Sequence, residues 1–519
     1  MIVTTKNNYT QNYLNVYFWR ILSLSTGFLS LLVVIPQLSL NKELYGIYTF
    51  CLSFNLYLTY ADIGFLSAGQ KYASEEYAKG NRDSEIRYLG FTGFVLLCMV
   101  IPFSIIMVYL SFRPEYIISN LSEQNSKVVG KMLLIMGVIS PFQIILQRLS
   151  QSILIIRIKD YISLRIDIIF NFIKILSVYY FFTETTYLVV EYFLFTNLLT
   201  IVSSIIIIIH IRSSEKYNFV KLFKAIKFDR QCYSHIKKLA FATLLMTLSW
   251  LLYYELDLLF IGKLLGPKEV AVYAISFTVL NFLRNLWNII YAPFAQRFNH
   301  YVGLSSFSRL RAMTFKLMNY TFPICVISVL ILFISAKYLI ISWVGHNYVD
   351  SILIFQILLM GTLFNFINQP ASYYFISTTN YWFLNLNAIV LPIVFLLSLY
   401  FFVPIFGING FAIAKVLALA TGAIISFWGV RKLVNLIRII KEWYLSLFVN
   451  SIILFFGLNY VYSSVFGNIE KGKSDLLMLF GIMVFTIIIV FITTLLFHKS
   501  LRGNMLTQLK SVLSKKAIA

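Results

Sequence analysis

One run of 64 residues, Ser351 to Ala414, contains no Asp, Glu, Lys or Arg. A spanning helix needs roughly 20 mostly apolar residues, so this run is too long for one helix and must fold back at polar or Pro-containing breaks. Those breaks are expected near Thr378 to Tyr381 and near Pro404 to Asn409. Further charge-free stretches recur along the chain: Tyr88 to Phe112, Tyr192 to Ile211, Leu317 to Ala336, Trp443 to Ile469 and Leu476 to His498. With 59% hydrophobic and 12% charged residues, most of the chain has lipid as its solvent. The expected fold class is all-α, a polytopic membrane protein of about 14 transmembrane helices.

The first span, about residues 13–38, is long, carries Arg20 and lacks a small-residue cleavage pattern, so it reads as a retained helix and not a signal peptide. Lys and Arg gather in alternate connections, as the positive-inside rule expects of cytoplasmic loops. The richest lies between spans six and seven, with Arg212, Lys216, Lys221, Lys224, Lys227, Arg230, Lys237 and Lys238. Both termini then face the cytoplasm. The net charge of +22 is distributed over loops flanking the spans, which points to anionic membrane lipids as partners and not to nucleic acid.

In that connection Phe219, Val220, Phe223 and Ile226 fall at helical spacing opposite Lys221, Lys224 and Lys227, the pattern of an amphipathic helix on the inner membrane surface. Leu506, Leu509, Val512 and Leu513 suggest another in the tail. A solvated basic loop that only sets topology is the competing reading of both. Cys51, Cys98, Cys232 and Cys325 are scattered, as are the five histidines, so neither a zinc site nor a catalytic triad is assembled by spacing. No cofactor, metal or enzymatic activity is expected.

A shift of 226 residues places Glu43 on Glu269, Gln70 on Gln296 and Lys71 on Arg297. Lys42 to Tyr48 (KELYGIY) then answers Lys268 to Tyr273 (KEVAVY) with one gap. Such duplicated halves are common in transporters; chance similarity of two apolar helices is the alternative. The segment Leu44 to Glu76, with its Gly-Ile-Tyr start, Asp62-Ile63-Gly64 turn and basic continuation, resembles the second helix of the polysaccharide-transporter branch of the multidrug/oligosaccharidyl-lipid/polysaccharide exporter superfamily. That branch includes the Wzx-type O-antigen flippases. Asp257 to Tyr273 is similar to its seventh helix running into the eighth, and the resemblance covers about residues 10–440.

This resemblance implies two six-helix lobes, 1–215 and 239–435; the sequence itself adds a basic amphipathic linker at 216–238, accessory helices at 436–498 and a basic tail at 499–519. The resemblance also implies alternating access and a polyprenyl-diphosphate-linked oligosaccharide as substrate, in a bacterial cell membrane. The two helices after the twelfth depart from the O-antigen flippase pattern and are shared with lipid II flippases. Lipid II type transport and cation-coupled multidrug export remain alternatives. A membrane glycosyltransferase or polymerase is disfavoured by the short outer loops.

Ionisable groups deep in spans are costly and are default candidates for function. Arg284, near the middle of span eight, is the leading substrate-binding candidate, followed by Arg20, Lys174 and Lys415, since a diphosphate in a low-dielectric cavity needs cationic partners. Snorkelling or internal pairing is the other reading, above all for Arg20 and Lys415 near helix ends. Asp257, Glu255 and Asp62 are the candidates for coupling to a proton or sodium ion. A fixed ion pair is the alternative for Glu255 and Asp257, and holding the Asp-x-Gly turn for Asp62. On a regular helix Glu255 and Asp257 are rotated by about 200° and do not line one cavity together.

Overall fold

The computed structural model describes residues 6–60, 64–183, 185–466 and 471–497. Among these the chain is helical throughout, with a single isolated bridge between Phe182 and Tyr187 and no strand. Among the described residues nine helices are long and apolar enough to cross a membrane, and three bent pairs raise the number to twelve. This is a multi-pass membrane protein. Of the fourteen expected spans, the two that do not meet this criterion are the second and the fifth. The described helix of the second ends at Tyr60, and residues 61–63, Asp62 among them, lie outside the described residues. The fifth, Tyr161–Phe181, carries Arg165, Asp167 and Lys174. Its charges are what lower its apolar character.

The chain divides into two compact units, Met1–Ala274 and Ile275–Ala519. The first contains α1 (Lys6–Leu38), α2 (Lys42–Tyr60), α3 (Phe65–Ala78), α4 (Arg82–Ser111), α5 (Glu123–Val138), α6 (Ser140–Ile156), α7 (Tyr161–Phe181), α8 (Val189–Ser214), α9 (Phe219–Lys224), α10 (Arg230–Trp250), α11 (Asp257–Leu264) and the first turns of α12 (Pro267–Gly303). Polar caps set several helix starts: Asn81 accepts from the Ser84 N–H before α4, and Asp229 from the Gln231 and Cys232 N–H groups before α10. The α5–α6 pair bends by 40° at Ile139, just before Pro141.

The basic ends of α4, α6 and α8 are joined in the first unit by a buried ionic cluster. Arg157 meets Glu85 at 2.7 Å and Glu215 at 3.6 Å, and both its guanidinium and the Glu85 carboxylate are inaccessible to solvent. Lys159 adds a 2.5 Å pair with Glu215, and the Tyr77 and Tyr217 rings cover the guanidinium at 4.7 and 5.1 Å. At the opposite end, Ser119 donates to the Gly262 and Lys263 carbonyls, and the Asn120 amide to the Leu265 carbonyl. Gly266, with φ of +106°, makes the turn into α12 that these bonds surround.

The second unit holds the rest of α12, then α13 (Phe307–Val344), α14 (Asp350–Thr362), α15 (Asn365–Ser377), α16 (Tyr381–Phe406), α17 (Ile408–Val430), α18 (Leu436–Ile452), α19 (Asn459–Val465) and α20 (Lys473–Phe497). The long charge-free run folds back at Thr378 to Asn380 and at Gly407, the latter with φ of +54°. The expected breaks fall at these turns. An additional 41° bend separates α14 from α15 without reversing the chain. A π-helical turn at Ile453–Leu458 carries α18 into α19. These last helices are fastened to α13: the Asn319 amide donates to Glu442 at 2.8 Å, the Trp443 indole N–H donates to Asn319 at 2.9 Å, and the Ser335 and Tyr462 hydroxyls lie 2.6 Å apart. The Asn450 amide donates to Thr494 of α20 at 2.9 Å.

Candidate functional site

In the second unit α12 presents a polar face. Phe277, Asn281 and Arg284 recur at i, i+4 and i+7, which keeps Phe277 and Arg284 within about 20° of one another and roughly 10 Å apart along the axis. Lys415 of α17 has no solvent-accessible surface, and its ammonium sits over the Phe277 ring, 4.1 Å from the centroid. Arg284 is half-buried two turns further along the same face. Between them the Asn281 side-chain oxygen is buried with no hydrogen-bond partner among the described residues. The structure thus sets two of the expected cations on one face of α12, Arg284 carried by the helix and Lys415 packed against it.

Arg20 and Lys174 occupy the first unit. Arg20 pairs with Asp160 at 2.9 Å, and its side chain is 56% exposed. Lys174 donates to the Thr200 hydroxyl at 2.9 Å. Asp167 stands seven residues before Lys174 on α7 and accepts from Ser203 of α8. Asp160, Asp167 and Lys174 therefore recur every seven residues, which places them along one side of α7. Asp167 escaped the sequence reading, which weighed only the cation of that span. The heptad spacing of the three charges was the available signal.

Glu255 and Asp257 are also in the first unit, and both are buried. The stretch between α10 and α11 is not regular: Leu251–Glu255 is a π-helical turn and Leu256 breaks the helix. The rotation expected for an ideal helix does not apply across it. The Trp250 indole N–H donates to Glu255 at 3.3 Å, and Trp250 stacks on Tyr254 at 4.2 Å. The Tyr273 hydroxyl donates to the Asp257 carboxylate. Tyr273 is the last residue of the KEVAVY repeat segment, so that segment brings a partner to one of the expected coupling carboxylates.

Among the described residues no group of three or more His, Cys, Asp or Glu could hold a metal ion. Cys51, Cys232 and Cys325 are buried free thiols and Cys98 is an exposed one. The site is a set of placed charges and aromatic rings, a lining that can bind an anionic ligand.

No protein-family model and no curated protein matches the chain by sequence. Solved structures of transporters and flippases match its fold. A lipid II flippase, MurJ, in an inward closed conformation superimposes with a TM-score of 0.70 at 16% identity, covering 95% of this chain and 99% of that chain. An inward-facing MATE-family multidrug resistance transporter gives 0.62 at 14% identity, covering 79% and 93%. A MOP superfamily transporter from Pyrococcus furiosus gives 0.57 at 14% identity, covering 82% and 96%. The chain has the fold of MOP superfamily transporters.

Proposed function

We propose that the chain is a flippase that carries a lipid-linked oligosaccharide with an anionic diphosphate headgroup from the cytoplasmic to the outer leaflet of a bacterial cell membrane by alternating access. The observation that carries this reading is the α12 face, where the wholly buried Lys415 and the half-buried Arg284 are aligned. Taking two cations out of water is costly. A phosphate-bearing headgroup would draw on both, Arg284 through its planar fork of donors and Lys415 as a compact charge. Arg20 and Lys174, on the first unit, are proposed to serve the same headgroup at another stage of its passage.

Coverage of the MurJ fold supports a lipid-linked substrate over a small drug. That flippase spans 95% of this chain, whereas the MATE transporter spans 79%, a margin comparable with the chain from Leu436 onward. A repeat unit of a surface polysaccharide such as O-antigen is the proposed cargo, with lipid II as the second reading that the same coverage favours. Coupling to a proton or sodium ion is assigned by this proposal to Asp257, which accepts a hydrogen bond from Tyr273, and to Glu255 beside it, carboxylates that would trade such partners for an ion in the transport cycle.

The experiment offers purified protein in liposomes two cargoes, a labelled polyprenyl-diphosphate oligosaccharide and a small amphiphilic cation. Movement of the former between leaflets supports the proposal. Export of the cation alone replaces it with drug transport.

A further inference from the structure

The basic connection between α8 and α10 is not a free loop. Leu222 is 1% exposed and packs with Leu89, Ile153 and Ile211. The Ala225 backbone presses against Gly90 so closely that a Cβ there would lie 2.5 Å from the Ala225 carbonyl oxygen, and Ile226 packs on Gly93. Phe228 sets its ring edge-on against Phe91 and Phe94, each at 6.2 Å. These contacts fix the height of the segment. Arg87 is the last charge of α4 before a stretch without Asp, Glu, Lys or Arg from Tyr88 to Phe112. Gly90 and Gly93 lie three and six residues beyond it, about 5 and 9 Å further along the axis. The segment is therefore held at the depth where an interfacial helix meets the headgroup–acyl boundary.

The outward side has two chemistries. Val220, Phe223 and Phe228 are 65%, 54% and 58% exposed. Phe219 and Ile226, expected on the same apolar face as Val220 and Phe223, turn inward instead, because the six-residue α9 is docked by one side and leaves the other open. Interleaved with the open apolar groups are Lys221, Lys224 and Lys227, all exposed. Lys221 is committed to Asp83 at 3.0 Å, and Asp229 to Arg87, while among the described residues no carboxylate pairs with Lys224 or Lys227.

We propose that residues 219–228 form a built site for an anionic phospholipid of the leaflet that bathes the basic ends of the helices, with Val220 and Phe223 among the acyl chains and Lys224 and Lys227 on the headgroup. Depth, exposed apolar side chains and uncommitted positive charge converge on that one occupant. A neutral lipid satisfies the apolar part only, and a soluble anion the charged part only.

The test is independent of transport. Wild-type protein is extracted from phosphatidylcholine vesicles containing a minority of phosphatidylglycerol, and the lipids it retains are counted by native mass spectrometry. The wild type retains phosphatidylglycerol above its bulk proportion. A basic side chain near the surface is worth roughly a five-fold preference for anionic lipid, so Lys224→Gln with Lys227→Gln lowers the enrichment about ten-fold or more. The same change at Lys131, an exposed lysine of α5 remote from residues 219–228, leaves it unchanged (Lys131→Gln). Phe223→Ser lowers retention of both lipids. Equal enrichment in wild type and the double Gln variant overturns the site, as does an equal loss with Lys131→Gln. If the double variant does not fold, salt dependence of wild-type retention decides: loss at high salt supports the site, and no change overturns it.

Discussion

Glu43 and Lys268 form an ion pair of 2.9 Å, joining the first turn of α2 to the first turn of α12. The two Lys-Glu segments that repeat in the sequence thus meet in space, with the Asn125 amide completing the Glu43 carboxylate at 2.6 Å. Beneath the pair Gly46 faces the Pro267 carbonyl with no room for a side chain. The pair itself is solvent-exposed and contributes little. Close backbone approach does the joining. Gly46→Ala is expected to lower stability by about 1–3 kcal/mol, and Glu43→Gln to change it far less. Thermal unfolding of the two variants in detergent checks the order, which the reverse ranking would contradict.

A second prediction concerns the buried cluster at the basic end. Arg157→Gln leaves Glu85 without its 2.7 Å partner in a site closed to solvent, at a cost of about 3 kcal/mol or more. Adding Glu85→Gln is expected to recover a large part of that loss. A double variant as unstable as the single one would show that Arg157 acts through packing on Tyr77 and Tyr217 and not through charge.

Asp229 gives a pH prediction. The hydrogen bond from Arg87 is the main cause that holds its carboxyl at about 2, below the ordinary 3.8. A depressed carboxyl stabilises the fold above its unfolded value, and that contribution is lost as pH falls from about 4 through about 2. Near neutral pH it is complete and adds no slope. Asp229→Asn keeps the helix cap but removes the charge. An unfolding midpoint followed from pH 7 downward should fall less steeply below about pH 4 in the Asn variant than in the wild type. Parallel curves would deny the pair its role.

On α7, Lys174→Met removes the positive charge that acts on Asp167 and leaves the carboxylate with the Ser203 hydrogen bond. Expression of folded protein should drop, and Asp167→Asn in the same chain should restore it, because two neutral groups are less costly there than one unpaired charge. Equal yields for the single and double variants would mean that the two charges are independent.

The architecture was legible where it depends on local composition. Absence of charge marks the spans, and the turns at Thr378 to Asn380 and at Gly407 lie where polar or Pro-containing residues interrupt the longest apolar run. The bend between α14 and α15 was not legible, since a kinked helix and a straight one share the same apolar pattern, whereas the bend at Ile139 had a signal in Pro141 that the apolar pattern alone passes over. At the candidate site Arg284 and Lys415 stand out as lone cations in apolar stretches. Their common relation to α12 depends on Phe277, one aromatic residue among 48 phenylalanines, and only tertiary structure selects it. Glu255 and Asp257 defeat a spacing argument because a π-helical turn lies beside them.

The most direct test compares two cargoes that share a polyprenyl chain and glycan, one joined through diphosphate and one through a neutral glycosidic link. Their appearance in the opposite leaflet of liposomes is followed for the wild type, Arg284→Gln and Lys415→Gln. The proposed headgroup role predicts that wild type moves the diphosphate form at least ten-fold faster than the neutral form, and that each variant, folded by thermal unfolding, loses most of that preference. Variants that are folded and keep the wild-type preference would contradict it.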